Sequence, residues 1–192
     1  MTGPPEVSVR SATDEERPTV VALAQLYLHD LSTVEDWELD ETGRFGVRSL
    51  TGCWPRPGEV TDVTRHPFLI RADGHIAGFA VVDEVSRVTG DRTVTDMAEF
   101  FVVRRWRRHG VGRAAAHRLV AAFPGRWEIR PCPGYPPAAA FWRRVSAELA
   151  VGGVRTGTFQ RRDRKAPMLS FSTRSDLRPA GRAQTVGERT GR

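Results

Sequence analysis

The residues best suited to chemistry stand together in one run, Glu99-Phe100-Phe101-Val102-Val103-Arg104-Arg105-Trp106-Arg107-Arg108-His109-Gly110-Val111-Gly112-Arg113. Two glycines one residue apart let a backbone come close to a ligand, and the Ala-rich stretch behind them predicts a helix whose first N–H groups lack partners. Those donors lie at the positive end of the helix dipole, and neighbouring arginines add charge-assisted bonds to phosphate oxygens. Such a turn is built for an anion, with Arg107 and Arg108 placed to touch phosphate and His109 offering its backbone N–H. Arg104 and Arg105 fit a solvated turn equally well. Glu99 lies among apolar neighbours that would raise its pKa toward that of a useful base, and it reads equally as a partnered glutamate on a core strand. Asp96 is the runner-up. It shares the parity of Val102 on an unbroken strand, a comparison that a bulge would reverse.

These residues need elements to hold them. Asp14 to Glu16 ahead of Val20, Leu23, Ala24, Tyr27 and Leu28 predict a helix ending near His29 or Asp30. Loops and a weak second helix follow to Arg65. Phe68–Ile70 and Ile76–Val82 form a hairpin across Asp73-Gly74. Strands are expected over 97–103, 127–130, 156–161 and 168–172, and helices over 111–123 and 137–148. The order indicates a single α/β (α+β) domain with a mixed, mostly antiparallel sheet flanked by helices. Its bounds are read as a flexible N-terminus over 1–13, the domain over 14–173 and a disordered basic tail over 174–192.

Composition narrows the classes. The 192 residues are 40% hydrophobic, too apolar for a disordered chain, and no apolar run approaches the ~18 residues of a membrane span. The start of the chain has no signal-peptide pattern, and Cys53 and Cys132 read as ordinary thiols, so a cytoplasmic protein is expected. The net charge of +6 suggests nucleic acid until it is sorted: residues 1–62 carry −7, 104–118 carry +6 and 174–192 carry +3. Charge concentrated at one helix start suits a pyrophosphate better than a nucleic-acid backbone, and no nucleic-acid-binding motif accompanies it. We expect no nucleic-acid or membrane partner and no metal, because no His, Cys and carboxylate group has ligand spacing.

Spelled Arg107-x-x-Gly110-x-Gly112 behind a strand that passes Val102, the run resembles the acyl-CoA signature of the GNAT superfamily of N-acetyltransferases. Tyr135-x-x-Ala138-x-x-Phe141-Trp142 is similar to the Asn-x-x-Ala-x-x-Phe-Tyr of that superfamily, and the hairpin ending in Ala77-Gly78-Phe79 looks like its preceding strand pair. The resemblance spans about residues 14–172.

It implies a GNAT-like fold and acetyl-CoA as co-substrate, with the pyrophosphate on the turn from Arg107 through His109, Gly110, Val111 and Gly112 to Arg113. The pantetheine arm would lie along Phe100, Phe101 and Val102 like an added strand, and an N–H near Val102 would polarise the thioester carbonyl. A primary amine, from a small molecule or a peptide, would attack directly, with Glu99 or a water chain to it as the base. The usual tyrosine acid is Trp142 here, whose indole N–H has no useful acidity; Tyr135 could act instead, or pack structurally. The acids from Asp30 to Glu41, with Trp37 and Trp54, would line an acceptor wall suited to a cationic amine.

Two other readings stand beside this one. A GNAT-like protein that binds acyl-CoA without turnover fits the missing tyrosine. Gly110-x-Gly112-x-x-Ala115 with Glu128 fits a loose dinucleotide fingerprint, although six or seven residues separate it from its strand. The exposed C-terminal strands could pair two copies as a homodimer.

Overall fold

The computed structural model describes residues 3–47, 50–55, 58–59, 63–161 and 164–174. From Ser175 onward, the expected basic tail lies outside the described residues. The elements are β1 (Val7–Ser11), α1 (Arg17–Leu31), β2 (Arg65–Ala72), β3 (His75–Asp83), β4 (Val94–Val102), α2 (Val111–Ala122), β5 (Arg126–Ile129), α3 (Pro136–Leu149), β6 (Val151–Arg161) and β7 (Arg164–Ser172). They form one seven-stranded sheet in the order β1-β2-β3-β4-β5-β7-β6, antiparallel except at β4–β5. Helix α2 makes the crossover between those two parallel strands, as parallel pairing requires.

Two expectations are corrected. Within the expected flexible lead of 1–13, Val7–Ser11 forms a strand that pairs with β2, setting Val9 opposite Ile70, and Val7 is buried. Five residues with polar alternates carry too little apolar signal to stand out in the sequence. Among the described residues between α1 and β2 there is no α-helix, only turns such as Asp40–Gly43 and a 3-10 position at Leu50. Gly and Pro there break any helical run.

Helix α1 starts where Thr13 and Glu16 cap a short turn, the Thr13 N–H reaching Glu16 Oε2 at 3.2 Å. Its Val20, Leu23 and Ala24 pack with Leu69, Phe79, Val81 and Phe101 on one face of the sheet. On the other face α2 and α3 bury Ala116, Leu119, Val120, Trp142 and Val145 against Ala80, Val82 and Met97. The sheet is thus covered on both sides, and its alternating side chains are divided between two cores.

Two irregularities shape the middle of the sheet. In β4 the register slips: Val81 faces Glu99 but Val82 faces Met97, leaving Ala98 as an extra residue. Next, β4 and β5 pair only from Val94↔Arg126 to Met97↔Ile129. Beyond that point the parallel strands part. The Val103 N–H donates to Ala77 on β3 at 2.8 Å, so alternation turns the N–H groups of Phe100 and Val102 toward the gap.

Candidate active site

The parted strands open into two joined cavities. One, of about 930 Å³, is lined by Phe100, Phe101 and Val102, by Arg107, Arg108, Gly110, Gly112 and Arg113 of the turn, and by Tyr135 and Phe141 of the α3 side. The other, of about 670 Å³, is lined by Glu99, Trp37, Asp36, Glu38, Phe159 and Arg161. Tyr27, Leu31, Ala98, Arg130, Pro131 and Cys132 line both. The structure therefore brings together most of the residues singled out in the sequence, on two sides of one junction.

The basic turn is held from within. Gly110 has φ +83° at the N-cap of α2, a conformation that favours glycine. Arg108 also takes positive φ, at 68°. Gly112 is closely approached: a Cβ there would lie 3.3 Å from the Phe141 ring and 3.6 Å from Val102 Cγ2. The first turn of α2 thus comes close to strand β4 and α3, and its N–H groups open toward the larger cavity.

The arginines divide their work. Arg107 turns inward: its Nε donates to the Val102 carbonyl at 2.7 Å, its guanidinium pairs with Asp30, and it lies 5.3 Å from the Phe101 ring centroid. Arg104 joins the same Asp30 at 2.9 Å. Burial alone would push Asp30 up, but the bonds from Arg107 and Arg104 outweigh it and hold the carboxyl below its usual range. Arg107 therefore braces the turn. Arg108, Arg113 and Arg144 are exposed cations lining the larger cavity, Arg113 reaching Glu148 of α3 at 2.7 Å. His109 is exposed with its ring against the Arg107 carbonyl, and the Val111 side chain is fully buried, which leaves their backbone groups to face a ligand.

The bulge decides between the two carboxylates of β4. Because Ala98 is inserted between Met97 and Glu99, Asp96 moves to the face of Glu99, opposite that of Val102. Asp96 is fully buried, and both its oxygens are taken by Arg130 at 2.8 and 2.9 Å. Burial still pushes its pKa up. This carboxylate anchors Arg130. Glu99 is half-buried and reaches the acceptor-side cavity, which Tyr27 also lines.

Trp37 lines the smaller cavity between Asp36 and Glu38, neither of which has an ion pair among the described residues. The cations beside them are already engaged: Arg161 shares the buried Glu35 with Arg164, and Arg130 pairs with Asp96. Trp54 does not join this wall. It packs against the core under α1, with the Arg17 guanidinium 6.0 Å from its ring. Trp142 is buried edge-on against Phe100 and Phe141 at 5.1 and 4.9 Å, so the position of the missing tyrosine is a packing position here. Tyr135 sits at the N-cap of α3 and lines the larger cavity, away from Glu99.

Burial raises the thiols of Cys53 and Cys132 to about 11 and about 12, which leaves both protonated and inert. Among the described residues no group of three or more ligating side chains could hold a metal ion, and no helix is long and apolar enough to cross a membrane. Tyr27 is the site residue that sequence reasoning missed. On α1 it has the spacing of a core residue, and nothing in the sequence indicates that it lines both cavities.

Residues 31–145 match the model of the acetyltransferase (GNAT) family. Among solved structures, an acetyltransferase from Thermus thermophilus superposes with a TM-score of 0.58 at 15% identity, covering 89% of this chain and 99% of that one. A GNAT-family acetyltransferase from Staphylococcus aureus gives 0.57 at 9% identity, covering 87% and 99%. A phosphinothricin acetyltransferase from Sinorhizobium meliloti, solved in complex with AcCoA, gives 0.52 at 14% identity, covering 87% and 88%. At such identities the likeness is one of fold. No curated protein matches the sequence.

Proposed function

The chain belongs to the GNAT acetyltransferase family, and from that premise we propose that it transfers acetyl from acetyl-CoA to a primary amine on a cationic small molecule, with Glu99 as the base. The observation that carries this is the pair of joined cavities: an anion-binding turn closes one, and the Glu99 carboxylate reaches into the other. The residues fit the co-substrate. The α2 N-terminus with Gly110 and Gly112, flanked by Arg108 and Arg113, suits a pyrophosphate, and the unpaired edge of β4 suits an extended amide-bearing arm. When bound, acetyl-CoA supplies an activated acyl group.

The chain's own part is to position and to move protons. The Val102 N–H, turned into the gap, donates toward a carbonyl oxygen placed along β4. Glu99 takes a proton from the ammonium at the junction, directly or through water, which frees the nitrogen lone pair for attack. Asp36, Trp37 and Glu38 attract and orient a cation, the neighbouring Arg161 and Arg130 being held in pairs with Glu35 and Asp96. The exposed edge of β6 supports pairing with a second copy.

The buried Trp142 favours a second reading, an acyl-CoA binder without turnover, since it removes the family's tyrosine donor. One assay separates the two. Acetyl-CoA is offered with a panel of neutral, mono- and polycationic amines at rising salt; the proposal expects turnover that favours cations and weakens with salt. CoA binding with no turnover on any amine supports the sensor reading, and indifference to acceptor charge removes the acidic-wall argument.

A further inference from the structure

We propose that Glu35 is a positioning residue for the acceptor amine, its buried carboxylate tying the Trp37 wall to the β6–β7 hairpin and so setting the width of the smaller cavity. The inference rests on the reading of that cavity as the acceptor side and adds the group that fixes its walls. Three donors from three places in the chain converge on Glu35 Oε1: Arg161 at the end of β6, Arg164 at the start of β7 at 2.9 Å, and the Cys132 thiol beyond β5 at 3.4 Å. Glu35 itself is only 5% exposed. Its backbone is fixed as well, since its N–H donates to the Leu31 carbonyl at the end of α1 and its carbonyl accepts from the Trp37 N–H, both at 3.0 Å. A Cβ on Gly134, two residues after Cys132, would lie 3.5 Å from Val34 Cβ, so the turn beyond β5 packs directly against this bend.

The segments so tied are those that line the cavity: Asp36, Trp37 and Glu38 after α1, Cys132 after β5, and Phe159 and Arg161 on β6. The far end of the Trp37 wall has its own anchor. Gln25 of α1 exchanges two hydrogen bonds with the Phe45 backbone, at 2.9 and 2.8 Å, and Phe45 and Gly46 line the same cavity. Between the two ends, Asp40 Oδ1 accepts from the N–H groups of Thr42 and Arg44. The wall is thus held at both ends, and its Glu35 end joins it to the hairpin.

Burial alone would raise the Glu35 carboxyl, but the bond from Arg161 outweighs it and holds the group below its ordinary range, so it is an anion at neutral pH. Glutamine keeps the shape but leaves two guanidinium groups sharing a neutral oxygen. Wall and hairpin then lose the charge-assisted bonds between them, and the width of the cavity is no longer set. The effect falls on binding of the amine and not on the proton transfer, because Glu99 is held in β4 by pairing with β3.

Arg164 makes the test specific, because it bonds Glu35 without lining either cavity. Glu35→Gln and Arg164→Gln are compared with the wild-type full chain by hydrogen–deuterium exchange and by initial rates with cadaverine at saturating acetyl-CoA. In both variants exchange should quicken roughly 10-fold or more over 35–46 and 158–161, and stay unchanged over 107–116. KM for cadaverine should rise about 5- to 20-fold in Glu35→Gln and about 2- to 5-fold in Arg164→Gln, with kcat within about twofold and CoA affinity unchanged by calorimetry. Should Glu35→Gln fail to fold, Arg164→Gln carries both readouts. Unchanged exchange over 35–46 overturns the role of Glu35, and so does an unchanged KM, whether or not kcat falls. Exchange that quickens as expected while none of the three proteins turns over cadaverine keeps the tie and overturns the cationic-amine reading instead.

Discussion

Tyr27 and Asp30 stand three residues apart on one face of α1 and hold different halves of the site. The first lines both cavities with its ring packed near Phe101, and the second takes both Arg104 and Arg107 of the basic turn. One helix turn thus borders the junction of the cavities and braces the anion-binding loop, and the Arg107 bond to the Val102 carbonyl extends that brace to the strand edge.

This linkage makes Asp30 an organiser of the turn. Asp30→Asn keeps the shape but removes the charge that fixes two guanidinium groups. We expect CoA to bind roughly 3- to 10-fold more weakly by calorimetry, the loss of order in the turn outweighing the gained positive charge. Tighter binding would mean that Asp30 competes with the ligand for the arginines.

Stability should fall in acid, and the sign can be worked out. Asp30 and Glu35 have folded pKa values held below their usual range once the arginine bonds offset burial, and Glu16 is lowered to about 2, first by its bond to Arg10. Depressed carboxyl groups stabilise the fold fully above their unfolded pKa and lose that contribution as pH falls through the folded one. The thermal midpoint should therefore decline from about pH 4.5 downward. Asp96, raised by burial, runs the other way and blunts the decline. Melting curves from pH 7 to pH 2.5 check this, and a flat midpoint across that range would contradict it.

Gly78 lies opposite Val102, and a Cβ there would sit 2.0 Å from the Phe101 carbonyl oxygen. Backbone cannot give way as a side chain can. Gly78→Ala should therefore cost about 3 kcal/mol or more in urea unfolding, or fail to fold, despite adding a single methyl group. A loss under about 1 kcal/mol would show that β3 and β4 can move apart freely.

The sequence revealed the elements whose signals are local. Asp73-Gly74 marked the hairpin, and Gly110-x-Gly112 marked the start of α2, because turn chemistry and helix starts are fixed by neighbours in the chain. The cofactor side was legible for the same reason, lying within one continuous run. What escaped were contacts that form only in three dimensions. The bulge at Ala98 reverses the face of Asp96 with no mark in composition, and Arg107, spelled as a phosphate contact, turns to an aspartate far back in the chain. Tyr27 looked like any core residue on an amphipathic helix, and Trp54 looked like an exposed aromatic in an acidic loop. Neither carries a periodicity that tells a site from a core.

The most direct test of the account is acetyl transfer by Glu99→Gln with an amine that the wild-type protein accepts, alongside CoA binding by calorimetry. The account predicts a fall in kcat/KM of about 10²- to 10⁴-fold at neutral pH, part of it recovered at high pH where the amine is already deprotonated, with CoA affinity within about twofold of wild type. Turnover equal to wild type at neutral pH, with CoA bound as before, would contradict it.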